Sequence, residues 1–377
     1  MMQTATMTAA PSPLAKLETL PVYKPGKPAE ATMAEHGLDY AAKLSSNENP
    51  FGPFPSVVEA IRTAALTINR YPDTNATAVR VAIARKIGRP VECVTVGAAS
   101  SGVLLMTINA FAGSGDEVLY GWRSFEAYPI FTQQMGATGV GVPLRGFDLD
   151  LEAIADRVGP ATKLILVANP NNPTGTAITE AEMTRFLDRV PSSVLVVLDE
   201  AYREFVRPGT AVDGVEAYSD RPNVLVSRTL SKAYGLAGLR VGYAVAHPEV
   251  IVALDKVAAP FSVSNVAQSA TLAALEIGTE LDDRLALLRR ERDRVLDGVR
   301  RIGLEIPESQ ANLVWLPAGS QTQPLCSALE RHGVVARPFG DEGVRVSIGS
   351  VRDNDLFLGA LTTAVSELPL VEHWVRF

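Results

Sequence analysis

Short apolar runs alternate with amphipathic segments along the first two thirds of the chain. Stretches near 139–143, 163–168, 194–199, 224–228 and 241–246 are β-branched and aliphatic, and they read as buried strands. Residues 94–102 read as a strand, a tight turn of small residues and a helix start. Helical spacing marks segments near 55–68, 124–136, 150–158, 179–189 and 231–238. Strand and helix in alternation predict an α/β fold, with a mainly parallel sheet sandwiched by helices. Beyond about residue 248 the pattern changes. There 267–277 and 280–302 read as long helices, and 312–317 and 343–348 as short strands of a smaller α+β domain. The expected organisation is an N-terminal arm at 1–44 joining the small domain, a large domain at 45–250 and a small domain at 251–377. Residues 1–19, rich in Ala, Thr and Pro, are expected to be disordered. Residues 20–27 hold proline and glycine and read as an extended arm. The arginines at 289–294 read as a solvated helix face.

Bulk numbers narrow the function classes. A chain of 377 residues is too long for one small core, which fits one large and one small domain. With 35 Lys+Arg against 42 Asp+Glu, the net charge of −7 argues against a nucleic-acid partner. The 47% apolar content supports a large core, yet no run approaches the ~18 residues of a membrane span, so no membrane partner is expected. Residues 1–10 lack the charged and apolar regions of a signal peptide. Cys93 and Cys326 match no metal spacing and read as free buried thiols of a reducing, cytoplasmic protein. The 4 histidines stand apart from one another and from the cysteines, so no metal site is expected.

The chemistry concentrates after the apolar run at 224–227. Thr229, Ser231 and Lys232 follow it, and Arg240 comes eight residues after the lysine. A lone lysine in a turn is ordinarily a solvated group. Hydroxyls and a guanidinium around it instead suit a phosphorylated carbonyl compound: they grip the phosphate, and the amine bonds the carbonyl. Pyridoxal phosphate is the cofactor with that need. Two other strand ends support this reading. The run 164–168 leads into Ala168-Asn169-Pro170-Asn171-Asn172-Pro173-Thr174-Gly175, a tight turn in which Asn172 can aim an amide at a ring oxygen. The run 194–198 delivers Asp199, either a helix cap or the carboxylate that keeps a pyridinium nitrogen protonated, with Tyr202 a short turn away. Ligands of open α/β sheets sit beyond the carboxyl ends of the strands, where these groups converge. The free amides at Ala99 and Ser100, at a helix start, suit the phosphate.

Asn172-Pro173-Thr174-Gly175, Asp199-Glu200-Ala201-Tyr202 and Ser231-Lys232 with Arg240 resemble the fold-type I pyridoxal-phosphate aminotransferases. More narrowly the chain resembles their histidinol-phosphate aminotransferase subfamily, over about residues 20–354. The resemblance implies that Lys232 carries the cofactor and relays a proton, with Asp199 and Tyr202 also catalytic. It implies that Phe125 stacks on the pyridine face, where many relatives have tyrosine, and that Asn172 and Tyr202 bond the ring oxygen. Thr229, Ser231, Arg240, Ala99 and Ser100 would hold the phosphate; the subfamily often has an acidic residue where Ser100 stands. Tyr71 would reach the cofactor phosphate of the partner subunit, making a homodimer with shared sites. On the substrate side it implies Tyr23, Asn47, Trp122, Arg337 and Arg345, the last forking onto the α-carboxylate. The implied reaction is ping-pong amino transfer between an amino acid and a 2-oxo acid, with 2-oxoglutarate as the second substrate.

Decarboxylases and C–S lyases of this fold share every cofactor residue; Arg345 and the aromatic stretch favour transamination. A cofactor-sensing regulator needs a DNA-binding module, and no basic helix-turn-helix region is present. The stretches 120–129 and 20–27 look most like the aromatic, phenylalanine-type members, with Trp122, Phe125 and Tyr23 forming an apolar slot. Arg337 could instead hold a phosphate, which keeps histidinol phosphate as the alternative substrate.

Overall fold

The computed structural model describes residues 12–22 and 26–368. Its strands, in chain order, are β1 (Ala42–Lys43), β2 (Val94–Ala98), β3 (Glu117–Trp122), β4 (Thr138–Pro143), β5 (Thr162–Ala168), β6 (Leu195–Asp199), β7 (Val224–Thr229), β8 (Val241–Ala246), β9 (Leu313–Leu316), β10 (Val334–Val335), β11 (Arg337–Phe339) and β12 (Gly343–Ser347). A 7-stranded sheet runs β2-β8-β7-β6-β5-β3-β4. The pairs from β4 across to β7 are parallel, and β8 alone runs against both its neighbours. β6 and β7 are buried along their whole length. Strands covered on both faces have no polar side to display, so they read as continuous apolar runs. Capping boxes at Thr179/Glu182 and Ser350/Asp353 fix the starts of the helices Glu180–Arg189 and Val351–Glu367.

The smaller sheet is antiparallel, in the order β11-β12-β9. β1 pairs parallel with β10, and the Leu44 amide donates to the Val335 carbonyl. The Ser347 amide donates to the Leu44 carbonyl, so the segment after β1 is stitched to the C-terminal strands. Among the described residues no helix is long and apolar enough to cross a membrane.

Four expectations need correction. Residues 231–238 are not a helix: only a 3-10 turn, Ala237–Leu239, forms there. Gly235 sits at φ +69, against the Phe51 carbonyl, and Leu236 bonds back to Leu230, so the segment folds on itself beneath Lys232. In the helix Thr279–Arg301, Arg292 is fully buried and donates to the Phe205 carbonyl at 2.9 Å, so that face is not wholly solvated. Burial brings its guanidinium down to about 10. Residues 14–19 carry structure. Lys16 Nζ donates to the Gln134 carbonyl at 2.8 Å, and Gln133 Nε2 to the Lys16 carbonyl and Thr19 Oγ1, anchoring the segment on the helix Ala127–Met135. Cys326 is buried, as expected, whereas Cys93 is only half-buried.

Candidate active site

β5, β6 and β7 lie side by side and end at one edge, so their carboxyl ends face a common cavity of about 230 Å³. Asn172, Asp199, Tyr202, Thr229, Ser231 and Lys232 line it from below. Ser45, Asn47, Arg337 and Arg345 close it from the smaller sheet and its N-terminal tie.

Asp199, at the tip of β6, is buried, and Oδ2 accepts a hydrogen bond from the Tyr128 hydroxyl at 2.9 Å. Its Oδ1 is equally buried and accepts none. Burial pushes the carboxyl up to about 6, against the Tyr128 hydroxyl and the Ala201 amide, which lower it. A buried, unpaired carboxylate oxygen in a cavity wall is an unfinished interaction that a cationic ring N–H completes. The next residue is secured differently. Glu200 accepts from Arg228 at 2.9 and 2.7 Å and from the Gly214 amide at 2.7 Å, tying the ends of β6 and β7 together.

The Lys232 amine donates to the Ser46 carbonyl at 3.1 Å and stands 6.0 Å from the centre of the Tyr202 ring. Burial brings it down to about 8, with Arg345 and Arg240 acting in the same direction and Glu48 against them. That shift places an appreciable neutral fraction near neutral pH, as a nucleophilic amine requires.

The opposite corner is built for an anion. Ala99 opens the helix Ala99–Phe111 at φ 65, its amide donating to the Arg240 carbonyl at 3.1 Å. Ala99, Ser100, Ser101, Thr229, Ser231 and Arg240 surround this corner. Thr229 Oγ1 donates to Ser231 Oγ at 3.0 Å, and Arg240 Nη2 to Ser101 Oγ at 3.3 Å. Gly242 of β8 makes the corner possible: a Cβ there would collide with the Ser100 nitrogen and the Ala99 carbonyl carbon. Asn47, Ala99 and Arg240, all lining the cavity, have φ 51, 65 and 57. Left-handed backbone at three non-glycine positions of one cavity fits the habit of strain to gather at working sites.

Asn172 is oriented by Arg345, whose Nη1 donates to Asn172 Oδ1 at 2.7 Å. The amide NH₂ is thereby the group left for the cavity. Arg345 Nη2 donates to the Ser45 carbonyl at 2.6 Å. Asn47 Nδ2 donates to the Tyr202 hydroxyl at 2.9 Å, while Ser347 and Asn312 hold the Asn47 backbone and side chain. Phe125 lines the cavity and packs edge-on against Tyr128 at 5.6 Å.

One sequence expectation falls elsewhere. Trp122 is not among the residues lining the cavity. It packs edge-on to Tyr120 at 5.9 Å beneath the Arg123 guanidinium, so the apolar slot expected around it does not include its ring. Tyr71 is 83% exposed and stacks on Phe261 at 4.6 Å, outside this chain's own cavity. Tyr23 lies outside the described residues. Sequence reasoning missed Tyr128, Glu126 and the carbonyls of Ser45 and Ser46. Only Tyr128 left a signal: it follows Phe125 by three residues, which places both rings on one side of a helical turn.

An orphaned carboxylate oxygen, a buried amine and an anion corner, spaced around one cavity with a ring on its wall, fit pyridoxal phosphate. Comparison with known proteins agrees. The family model for aminotransferase class I and II matches residues 41–361. An aromatic amino acid aminotransferase of Streptomyces coelicolor is 53% identical over 350 residues, covering 93% of this chain and 96% of that protein. One from Thermobifida fusca is 50% identical over 347 residues, covering 92% and 95%. Among solved structures, histidinol-phosphate aminotransferase from Sinorhizobium meliloti, in complex with pyridoxal-5'-phosphate, superposes with a TM-score of 0.87. It is 29% identical and the match covers 97% of this chain and 100% of that one.

Proposed function

We infer the reaction from one premise: the chain belongs to the class I and II aminotransferase family and is a pyridoxal-phosphate-dependent transaminase. We propose that it moves amino groups between an aromatic amino acid, phenylalanine or tyrosine, and 2-oxoglutarate. The observation that carries this is the 53% identity, over 93% of the chain, to an aromatic amino acid aminotransferase. The Phe125 ring in the cavity wall supports it.

When bound, the cofactor supplies an electron-accepting ring that stabilises negative charge at the substrate α-carbon. The remaining roles belong to this chain. Lys232 Nζ would anchor the cofactor, and the same nitrogen would hold and move the proton of the substrate α-carbon. Tyr128 keeps the Asp199 carboxylate in place through Oδ2, and Oδ1, which has no partner here, would hold a proton at the ring nitrogen. Asn172 and Tyr202 donate to the ring oxygen, and Phe125 covers the ring face. Ser100, Thr229, Ser231 and Arg240 would hold the phosphate; the Ala99 amide, expected to be free for it, is committed to the Arg240 carbonyl. Arg345 would take the substrate carboxylate: it lines the cavity, and its planar fork, which donates to Asn172 Oδ1 and the Ser45 carbonyl, suits bidentate pairing. Asn47 orients Tyr202.

The substrate class is tested by kcat/KM for phenylpyruvate with glutamate beside kcat/KM for histidinol phosphate with 2-oxoglutarate. The aromatic pair is expected to lead by about tenfold or more. A tenfold lead for histidinol phosphate moves the enzyme to histidine synthesis.

The working unit we propose is a homodimer in which Tyr71 completes the partner's phosphate site. Tyr71 and Phe261 offer stacked, exposed rings at the surface, a costly display unless covered. Mixing a Lys232→Ala subunit with a Tyr71→Phe subunit should create one site carrying neither lesion. Activity is expected to rise above both parents; a monomer in sedimentation at working concentration ends the idea.

A further inference from the structure

The loop at 45–49 carries two groups of the site: the Ser46 carbonyl, which accepts from the Lys232 amine, and Asn47, which bonds the Tyr202 hydroxyl. Its near end is fixed to the smaller sheet, where the Asn47 amide donates to Ser347 Oγ at 2.7 Å. Its far end is Asn49, half-buried and not among the residues lining the cavity. Both polar atoms of the Asn49 side chain are bonded to backbone. Oδ1 accepts from the Phe51 amide at 3.0 Å, which turns the NH₂ toward the lysine segment. There Nδ2 donates to the Ala233 carbonyl at 2.9 Å and to the Lys232 carbonyl at 3.3 Å. The same lysine is thus gripped twice by one loop, at its amine and at its main chain. The Gly235 amide also donates to the Lys232 carbonyl, and the Leu236 amide to the Leu230 carbonyl. Those bonds lie within the turn and shape it; the Asn49 amide ties the turn to another segment.

We propose that Asn49 is a positioning residue for amino transfer: it fixes the main chain of Lys232 to the loop that carries Ser46 and Asn47. A lysine amine stands at the end of a long flexible stem, so its reach is defined only as well as its Cα is placed. The Ser46 bond cannot serve this purpose during the reaction, because it uses the amine that the reaction occupies. The Asn49 bonds involve no reacting atom and persist throughout. A displacement of about 1 Å in such a group costs on the order of 10²-fold in rate. The inference rests on Lys232 as the reactive amine and not on which amino acid is the donor.

The test compares Asn49→Asp and Asn49→Ala with the wild type. Asp keeps the shape and the acceptor for the Phe51 amide but loses both donated bonds; Ala loses all three. Glutamate, the donor common to the aromatic and histidinol-phosphate reactions, is given to the holoenzyme with hydrogen or deuterium at its α-carbon. The half-reaction is followed by absorbance. In both variants the limiting rate should fall about 10- to 100-fold, with the saturation constant within about threefold and the isotope effect at least as large as in the wild type. A second readout needs no cofactor: the apoenzyme is pulse-labelled with acetic anhydride across a pH series, and the Lys232 peptide is followed. Its midpoint, about 8 in the wild type, should move toward the ordinary 10.5 as the released segment meets water. If Asn49→Ala does not fold, Asn49→Asp decides. Wild-type limiting rates overturn the proposal, and so does a slower rate that has lost its isotope effect. A lower melting temperature with unchanged rate and midpoint also overturns it, leaving Asn49 as a fold contact. Wild-type cofactor found on another lysine overturns the Lys232 assignment and this proposal together.

Discussion

Lys232→Ala is expected to abolish the visible absorbance of the dialysed holoenzyme and to lower turnover by roughly four orders of magnitude or more. That size follows from losing two functions in one atom: the covalent anchor and a positioned proton carrier, the latter alone contributing about 10²–10⁴. The native fold should survive, because the amine makes a single bond, to the Ser46 carbonyl, and its other surroundings are the cavity. Borohydride reduction of the wild-type holoenzyme followed by peptide mapping should find the cofactor on Lys232. A label on another lysine, or a variant that keeps its colour and rate, removes Lys232 from its role.

Asp199→Asn is expected to retain cofactor but lose turnover by about 10²-fold or more, because an amide cannot hold the charge of a protonated ring nitrogen. A second readout is independent of turnover. The folded carboxyl stands at about 6 against an ordinary 3.8, so the folded apoenzyme binds this proton more tightly than the unfolded chain. The associated stability is present below about 3.8 and is lost as pH rises through about 6, roughly 3 kcal/mol in all. Thermal unfolding of the apoenzyme should show this decline, and Asp199→Asn should flatten it. Cofactor should stabilise the wild type more at pH 8 than at pH 5. A variant with near-normal turnover would mean that Asp199 serves only the fold.

How far the chain could be read in advance followed the range of each interaction. β5, β6 and β7 were legible because strands buried on both faces leave unbroken apolar runs, and their chemistry sits in the few residues after each run. The segment 231–238 misled because Ala233, Leu236 and Ala237 suit a helix, while its conformation is set by Gly235 against Phe51, far off in the chain. Trp122 misled for a related reason. Side chains alternate along β3, so Trp122 shares the face of Tyr120, and the chain reaches the cavity only after turning at 123–126. Pairings across the fold left no local trace. The Arg345–Asn172 bond spans 173 positions and the Arg337–Glu126 pair 211. No spacing rule predicts which arginine meets which acceptor at that separation.

The reversed strand β8 also sets the order in which the protein is built. Among the described residues Val94–Ala98 pairs with Val241–Ala246 alone, and the Ala99 amide donates to the carbonyl of Arg240. A chain emerging from the ribosome therefore carries β2 as an open edge until nearly two thirds of its length has been made, and during that interval the anion corner does not exist. The Asn47 staple waits longer still, for Asn312 and Ser347. Chains that end between Lys232 and Val241 are therefore expected to stay colourless by topology rather than by lack of the lysine.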